Sequence, residues 1–452
     1  MPQLFDGPPV RTGPQVARQQ SLRDHNLAVV LRRAVDAPAP VSRADIAAAT
    51  GLTRSTVSSL VEALVVADLL AEVGPGPRSG AGAGRPGIGL VPSRTRVAGL
   101  GLELNVDYLA ACVLDLSGAV RYRVVQPRDL RGLAPARAVA ALARLARRAL
   151  DDAAAQGLSV SGAAVALPGL VHAPEGPLRL APNLGWRDVD VRALLSREPA
   201  LAALAHGGGI EVDNEANLAA LGELYAGRRL PGGEPAAESF LYVSGEIGVG
   251  AGLVLDGRIF RGTHGWGGEI GHLPVDPDGP ACRCGSKGCL EQVAGQEAIL
   301  RRAGRPTQVG SSMGGRPAVA GLVDAAAAGD RRLLAALDEA GRALGLAVSA
   351  VVNVVDVDTV VLGGLYAALA QWMVPAVQDE VSRRVLAHAW SPVTVRVCAL
   401  GADAAILGAA GAVVRSVVDR PAEVLRTLSA LTPRTAPPPA EPAQSSRREA
   451  EA

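Results

Sequence analysis

Four side chains that bind soft metal ions lie within eighteen residues of the chain, at His272, Cys282, Cys284 and Cys289. Three thiolates and one imidazole match the tetrahedral preference of zinc. The alternative is that three unrelated cysteines are buried near one another without a metal. Because four protein ligands leave no position for water, the spacing predicts a structural zinc site. Binding one ion with all four side chains would fix the path of the backbone from residue 272 to residue 289, which is a stronger constraint on the fold than the hydrophobic patterns of this sequence.

The other two cysteines, Cys112 and Cys398, lie in apolar stretches typical of core strands. A disulfide framework would spread its cysteines along the chain, whereas three of these five are clustered. The N-terminus has early prolines and no apolar core, and the most apolar stretch, around 347–365, is interrupted by Asp356 and Asp358. We therefore expect a reduced, cytoplasmic protein without a signal peptide or a membrane span.

Charge is distributed unevenly between two parts of the chain. The whole sequence has 45 Lys plus Arg and 44 Asp plus Glu, a net charge of +1. Residues 1–100 have 11 Arg and 7 acidic residues, or +4, so the remainder has 34 basic and 37 acidic residues, or −3. The balance excludes a uniformly basic nucleic-acid coat. It predicts a small basic module in front of a slightly acidic body.

The basic module has the pattern of a winged helix-turn-helix. An apolar stripe predicts a first helix over 16–37, ended by two prolines. Ser42 and Thr53 are suited to cap two further helices that are joined by a turn containing glycine. Segments 71–73 and 87–91 can pair as a two-stranded wing.

The third helix of this module has a polar outer face. Small hydroxyls and one arginine at a helix N-terminus suit phosphate contacts and base reading in a major groove. An arginine at the wing tip suits a minor groove. The alternative is a three-helix dimerisation module whose hydroxyls are only solvated. The predicted DNA-binding residues are Arg54, Ser55, Thr56, Ser58, Ser59 and Arg85.

Beyond the wing, the apolar pattern changes to the period of two that is typical of strands. Strands are predicted over 97–104, 109–114, 120–125 and 160–166, with a helix over 135–155. Mixed strands and helices over about 320 residues predict an α/β body of two lobes around a cleft. The predicted domains are a disordered N-terminus (1–15), a winged helix-turn-helix (16–92), the α/β body (93–419) and a disordered tail (432–452).

Two polar clusters in the body suggest a ligand site. Residues 211–217 read Glu-Val-Asp-Asn-Glu-Ala-Asn, and residues 267–272 read Gly-Gly-Glu-Ile-Gly-His, which ends on the predicted metal ligand. Carboxylates, amides and an imidazole in one cleft suit polyhydroxyl ligands such as sugars. Taken singly, any of these residues could be a solvated surface group.

These residues resemble the ROK family (repressors, open reading frames and sugar kinases). Its zinc signature resembles Gly-His at 271–272, Cys-Arg-Cys-Gly at 282–285 and Gly-Cys-Leu-Glu at 288–291. The motifs at 268–270 (Gly-Glu-Ile) and 214–217 (Asn-Glu-Ala-Asn) are similar to its sugar-site motifs. Its repressor branch is similar in the recognition helix at 52–59 and in Gly-Arg-Pro-Gly at 84–87. The resemblance covers residues 16–415.

The resemblance implies an N-terminal winged helix-turn-helix followed by a two-lobed, actin-like (ribonuclease-H-like) α/β fold. It also implies a sugar or sugar-phosphate effector, operator DNA as a partner, and a homodimer or homotetramer. His272 would both ligate zinc and contact the sugar through its other ring nitrogen. The implied sugar-binding residues are Asn183, Asn214, Glu215, Glu269, His272 and Glu291.

The catalytic segments of the family's kinases are altered in this chain. The first phosphate turn, Gly-Gly-Thr-Lys in the kinases, is matched by Asn-Val-Asp-Tyr at 105–108, with Glu103 in front of it. The second, Gly-Thr-Gly, is matched by Glu-Ile-Gly at 246–248, and only the adenosine-side Gly-Gly at 363–364 remains. Glu215 occupies the place of the aspartate general base, one methylene longer.

We therefore expect a sugar-responsive DNA-binding regulator, a repressor of carbohydrate uptake or catabolism genes, without useful kinase activity. Glu215 could still bond to a sugar hydroxyl. Two alternatives stay open. One is an active ATP-dependent hexose or aminosugar kinase with an attached DNA-binding domain, and the other is a DNA-binding scaffold without an effector.

Overall fold

The structure, a computed structural model, describes residues 19–75, 87–173, 176–206, 209–227, 237–306 and 316–431. The N-terminal elements are α1 (Gln19–Val35), α2 (Arg43–Thr50), α3 (Arg54–Val66), β1 (Leu70–Pro75) and β2 (Ile88–Pro92). The two strands pair antiparallel. This is the order of the predicted winged helix-turn-helix. The first helix was predicted to end at residue 37, whereas α1 ends two residues earlier, at Val35.

The predicted helix caps are present in the N-terminal domain. Ser42 and Asp45 form a full capping box, in which the Asp45 N–H donates to Ser42 Oγ and the Ser42 N–H donates to Asp45 Oδ2. Gly51, with a φ of 71°, ends α2 in the left-handed conformation. Thr53 Oγ1 then accepts from the Thr56 N–H at 3.2 Å and begins α3.

The first lobe of the body is built on a five-stranded sheet in the order β10-β6-β3-β4-β5. Strands β3, β4 and β5 pair antiparallel, while β6 and β10 run parallel to β3. The predicted strands and the helix over 135–155 are confirmed. Its elements are β3 (Val97–Leu104), β4 (Tyr108–Asp115), β5 (Val120–Pro127), α4 (Pro135–Ala155), β6 (Ser159–Leu167), β7 (Leu170–Val171), β8 (Leu178–Ala181), β9 (Trp186–Val189), α5 (Val191–Ser196), α6 (Ala202–His206), β10 (Ile210–Asn214) and α7 (Glu215–Gly227).

The second lobe has a five-stranded sheet in the order β13-β12-β11-β14-β15. Here β14 and β15 run parallel to β11, and β12 and β13 are antiparallel. Its elements are β11 (Phe240–Gly245), β12 (Val249–Leu255), β13 (Arg258–Phe260), α8 (Glu291–Ala294), α9 (Gln296–Arg302), α10 (Arg316–Ala327), α11 (Arg331–Val355), β14 (Thr359–Gly363), α12 (Gly364–Ala368), α13 (Ala370–Arg384) and β15 (Thr394–Val397). The chain then returns to the first sheet and to the N-terminal domain as α14 (Ala404–Asp419) and α15 (Pro421–Leu431).

Two helices, α7 and α14, lie between the two sheets. Residues from both helices share a buried cluster with β6 of the first sheet and β11 of the second. The opposite face of the first sheet packs on α4, and the opposite face of the second packs on α11 and α13. Alternate strand residues face the two helix layers, as expected for sheets covered on both sides. The predicted two-lobed α/β body is confirmed.

Helix α14 also joins the body to the N-terminal domain. Its Val414, Val417 and Val418 share a core with Leu27 and Leu31 of α1. Segment Gly401–Asp419 is the one helix among the described residues that is long and apolar enough to cross a membrane, and half of it is buried inside the protein. Its contacts with both lobes identify it as a core helix.

Candidate functional site

The predicted DNA-reading side chains of α3 lie on the outside of the domain. Arg54, Ser55, Ser58 and Ser59 are exposed, while the apolar side chains between them are buried against α1 and α2. Thr56 is half-buried, and its hydroxyl lies 2.8 Å from Thr53 Oγ1 in the N-cap, as the Ser55 hydroxyl does at 3.0 Å. Arg85 lies outside the described residues. Helix α3 thus presents Arg54 and the hydroxyls of Ser58 and Ser59 to solvent, whereas the other two hydroxyls bond to its N-cap.

The four predicted metal ligands converge on one point. The ligand atoms of His272, Cys282, Cys284 and Cys289 all lie within 4.8 Å of one another. Cys284 Sγ and Cys289 Sγ are 3.7 Å apart, and Cys282 Sγ is 3.8 Å from His272 Nδ1. A tetrahedral zinc with Zn–S bonds of about 2.3 Å requires sulfur–sulfur distances of about 3.8 Å. The side chains therefore fit a tetrahedral ion of this size.

The backbone of the cluster also suits a tight loop around an ion, and its buried thiols would need a cation beside them to ionise. Gly285 and Gly288 both have positive φ, and a Cβ at Gly288 would lie 1.6 Å from the Asp276 carbonyl oxygen, so the loop requires glycine there. Burial, together with hydrogen bonds from the neighbouring thiols, raises the pKa of Cys289 to about 12. A bound cation would offset this penalty and hold the thiols as thiolates.

All six side chains predicted to bind sugar line one cavity between the lobes, with a volume of about 60 Å³. They come from separate elements: Asn214 ends β10, Glu215 begins α7, and Glu291 begins α8. Asn183 follows β8, while Glu269 and His272 flank a short turn after β13. The two polar clusters of the sequence are thus brought together in space.

The metal cluster and this cavity are physically connected. His272 directs Nδ1 toward Cys282, while its Nε2 lies 3.9 Å from Glu269 Oε2 in the cavity. Arg283, between two of the cysteines, donates to Asn183 Oδ1 at 2.9 Å. A metal held by the cysteines would therefore fix the orientation of two cavity residues. The Arg283 contact is absent from the sequence prediction, because nothing in the spacing of Arg283 and Asn183 indicates their proximity.

The pKa of Glu215 is raised by burial and by the acidic residues near it. Desolvation, followed by the charges of Glu103, Asp107, Glu269 and Glu291, raises the pKa of Glu215 to about 8. Its carboxyl group therefore holds a proton at neutral pH and can donate a hydrogen bond. Desolvation and the neighbouring Glu291 likewise raise the pKa of Glu269 to about 7.

Asn105 is a cavity residue that the sequence analysis assigned only to an altered phosphate turn. Its side chain is buried and donates from Nδ2 to Glu215 Oε2 at 3.2 Å and to Tyr108 Oη at 3.1 Å. Tyr108 in turn donates to Glu103 Oε1 at 2.5 Å. A chain of hydrogen bonds therefore runs from Glu215 to Glu103, and the contact between Asn105 and Glu215 spans 110 positions of sequence.

A larger cavity of about 550 Å³ lies behind this chain of hydrogen bonds. The segments matched to the two phosphate turns meet at it, and Glu103, Glu246 and Asp403 line it together with Gly364. Asp403 forms an ion pair with Arg123 at 2.7 Å. Because this ion pair offsets the charge of Asp403, Glu103 and Glu246 are the two carboxyl groups that a triphosphate would meet here.

Models of two protein families match the chain. The ROK family model matches residues 99–416, and the IclR helix-turn-helix domain model matches residues 32–74. The first match covers more than half of the sequence. The chain belongs to the ROK family. The predicted family and fold class are confirmed, and the helix-turn-helix in front of the ROK body is the architecture of the family's transcriptional regulators.

Individual relatives of this ROK protein include regulators and kinases. The xylose repressor of Bacillus spizizenii is 26% identical over 380 residues, which cover 84% of this chain and 92% of the repressor. The glucokinase of Halalkalibacterium halodurans is 31% identical over 256 residues, covering 55% of this chain and 74% of the enzyme. A crystal structure of a ROK family transcriptional regulator, a homologue of the E. coli MLC protein, covers 90% of this chain and 99% of its own, with a TM-score of 0.69 and 23% identity. The repressor match covers most of the chain, whereas the shorter kinase match covers about half of it.

Proposed function

We propose that this protein is a sugar-responsive DNA-binding repressor of carbohydrate uptake or catabolism genes. Residues 16–92 would form the DNA-binding domain and residues 93–419 the sensing body. The observation on which the proposal rests is that an exposed, polar recognition helix shares a chain with a cavity lined by four carboxyl groups, three amides and an imidazole. Such groups match the hydroxyls of a monosaccharide or a sugar phosphate.

The metal in this proposal is a structural zinc. His272, Cys282, Cys284 and Cys289 would fill its four positions, so no site for water or substrate would remain. The ion would stabilise the loop over 272–289 and, through His272 and Arg283, the shape of the sugar cavity. Its contribution is therefore to binding and not to a chemical step.

Absence of useful kinase activity is the second part of the proposal. The carboxyl groups of Glu103 and Glu246 stand where phosphates would approach, and Ile247 replaces the hydroxyl of the kinases' second turn. Glu215 is one methylene longer than the aspartate general base of the kinases, which displaces its carboxyl group from the position where that base takes the proton of a sugar hydroxyl. Because the chain is also similar to a glucokinase, kinase activity has to be assayed directly.

The protein would act in the cytoplasm as a homodimer or homotetramer. Two recognition helices dock together only on half-sites about one helical turn apart, and one chain supplies one such helix. Closure of the cleft on a sugar would change the orientation of the two DNA-binding domains. A modest reorientation is sufficient to abolish simultaneous docking.

Calorimetry with D-xylose, D-glucose and N-acetylglucosamine tests the sensing role. We expect one of them to bind, and Glu269→Ala to weaken that binding at least about tenfold, because each lost hydrogen bond to a charged group contributes on the order of 1.5–3 kcal/mol. Glu211→Ala is the matched control, since Glu211 is exposed and does not line the cavity. Zinc content is measured for both variants to exclude an indirect effect through His272.

An assay for ADP formation with the bound sugar, ATP and magnesium distinguishes the alternatives. We expect no turnover above the level without protein. Sugar-dependent ADP release would instead favour the kinase with an attached DNA-binding domain. A protein that binds DNA but none of the sugars would favour the scaffold without an effector.

A further inference from the structure

One arginine lies where the sugar-binding body meets the DNA-binding domain. Arg415 of α14 forms an ion pair with Asp36, directly after α1, at 2.8 Å. Its guanidinium also lies 5.7 Å from the ring centroid of Tyr225 on α7, in the geometry of a cation–π contact. Only 18% of the Arg415 side chain is exposed. This side chain therefore contacts the body and the DNA-binding domain at once.

Helix α7 connects this contact to the sugar cavity. Its first residue is Glu215, and Asn214 Oδ1 accepts from the Ala216 N–H at 2.8 Å, so two cavity residues fix the N-terminus of the helix. Tyr225 lies ten residues further on, about 15 Å along the helix axis. The same rigid element thus has one end in the cavity and the other against Arg415.

Helices α7 and α14 are packed too closely to slide past one another freely. A Cβ at Gly408 of α14 would lie 1.7 Å from the Leu218 carbonyl oxygen, and one at Gly222 of α7 would lie 2.7 Å from the Ala404 carbonyl oxygen. The backbones are therefore in direct contact at two levels. A displacement of α7 at the cavity would be transmitted to α14 because packed interiors resist compression.

The junction between the two domains has space for movement. A cavity of about 390 Å³ lies there, and its lining includes Asp36, Tyr225, Arg415, Leu407 and Val418. Most of the remaining lining is apolar. Beside this cavity Arg415 also pairs with Asp419 at 3.3 Å, and Asp419 pairs with Arg32 of α1 at 2.6 Å, so charged contacts join the two domains here.

We propose that Arg415 is the positioning residue through which sugar binding at Glu215 reaches the DNA-binding domain, with Tyr225 holding its guanidinium against Asp36. Sugar binding would shift α7 together with α14, and the Tyr225–Arg415–Asp36 contact would convert that shift into a reorientation of α1. The inference rests on the proposed function, because it requires a sugar that alters DNA binding. It adds the residues that connect the two sites.

The test measures the affinity for a DNA duplex with and without sugar in the full-length protein. The duplex is one that the wild-type protein selects from a random-sequence library, and the sugars are D-xylose, D-glucose and N-acetylglucosamine. Arg415→Gln and Tyr225→Leu remove the two sides of the contact, and Arg415→Lys keeps the cation. Arg426→Gln is the matched control, since it breaks another ion pair between the domains, with Asp24, without involving α7.

We expect Arg415→Gln and Tyr225→Leu to bind the sugar as the wild type does, while the sugar-induced change in DNA affinity falls about two- to fivefold. Arg415→Lys should recover part of that change, and Arg426→Gln should retain all of it. An unaltered response in Arg415→Gln, or an equal loss in Arg426→Gln, would overturn the inference alone. A wild-type protein whose DNA affinity ignores every sugar would overturn the proposed function, and the inference with it.

Discussion

At the residue scale, Glu215 is distinguished by its position in the cavity between the lobes and by its raised pKa. Its position at the start of α7 places it in the sugar cavity, and the acidic groups around it raise its pKa to about 8. The cavity position could be expected from the family motif at 214–217. The raised pKa could not, because Glu103 and Asp107 are more than 100 positions away in the sequence and approach only through β3 and the turn after it.

Glu215→Gln should stabilise the protein at alkaline pH. The folded-state pKa of about 8 lies above the ordinary value of 4.5, so the unfolded chain loses this proton first and stability falls as pH rises from about 4.5 to 8. Glutamine cannot ionise and avoids this loss. We expect the variant to be about 1–3 kcal/mol more stable than the wild type at pH 8 and no more stable near pH 4.5. Urea unfolding at several pH values measures the difference; equal pH profiles for the two proteins would contradict it.

Cys284→Ser should release the metal. Removal of one thiolate would leave three ligands, and the loop over 272–289 would lose the proposed zinc and its contribution to folding. We expect less than one zinc per chain by elemental analysis and a lower melting temperature. Cys112→Ala is the control because Cys112 is buried far from the cluster in the sequence and lies in β4. Full zinc content in Cys284→Ser would show that the cluster is not a metal site.

At the scale of elements, the contact between α7 and α14 determines the relation of the two sheets. The strands and helices themselves follow from local patterns, such as the alternation in 97–104 and the apolar stripe in 135–155. The order of the strands and the burial of α14 between the lobes have no such signal. They depend on contacts between distant segments, for example that of Gly408 with Leu218.

Gly408→Ala should destabilise the body, although alanine is the better helix former. Its Cβ would lie 1.7 Å from the Leu218 carbonyl oxygen, so the two helices would have to separate. We expect a loss of about 1–3 kcal/mol or more in urea unfolding. Gly411→Ala, three residues further along α14, is the matched control, because its Cβ would meet nothing closer than Tyr225 Cδ2 at 3.8 Å. Equal stabilities for the two variants would contradict the packing argument.

The recognition helix α3 leads to a prediction about salt dependence. Arg54 is exposed at its N-terminus, where phosphate contact is expected. Arg54→Gln should weaken binding to the selected duplex and reduce the slope of log affinity against log salt by about one. Arg147→Gln, which removes an exposed arginine from α4 of the body, should leave the slope unchanged. An unaltered slope in Arg54→Gln would place the phosphate contacts elsewhere.

At the scale of the whole molecule, the near-neutral charge is the average of two unlike parts. The +4 of residues 1–100 includes the N-terminal domain, and the −3 of the remainder includes the carboxyl groups that line the two cavities of the body. The predicted metal ligands and sugar-binding residues could be recognised because they occur in motifs, and the double role of His272 was implied by the family resemblance. The contacts of Arg283 with Asn183 and of Asn105 with Glu215 could not be recognised, because they depend on how distant segments meet.

If the protein is a sugar-responsive DNA-binding regulator, a sugar must change its affinity for DNA. Fluorescence anisotropy of a labelled duplex measures that change most directly. The zinc-loaded protein is titrated into its selected duplex with and without D-xylose, D-glucose or N-acetylglucosamine. We expect one sugar to weaken the affinity by about 5- to 150-fold, the usual range of coupling between two sites on one protein. An affinity that stays the same with every sugar, in protein that calorimetry shows to bind one of them, would contradict the claim.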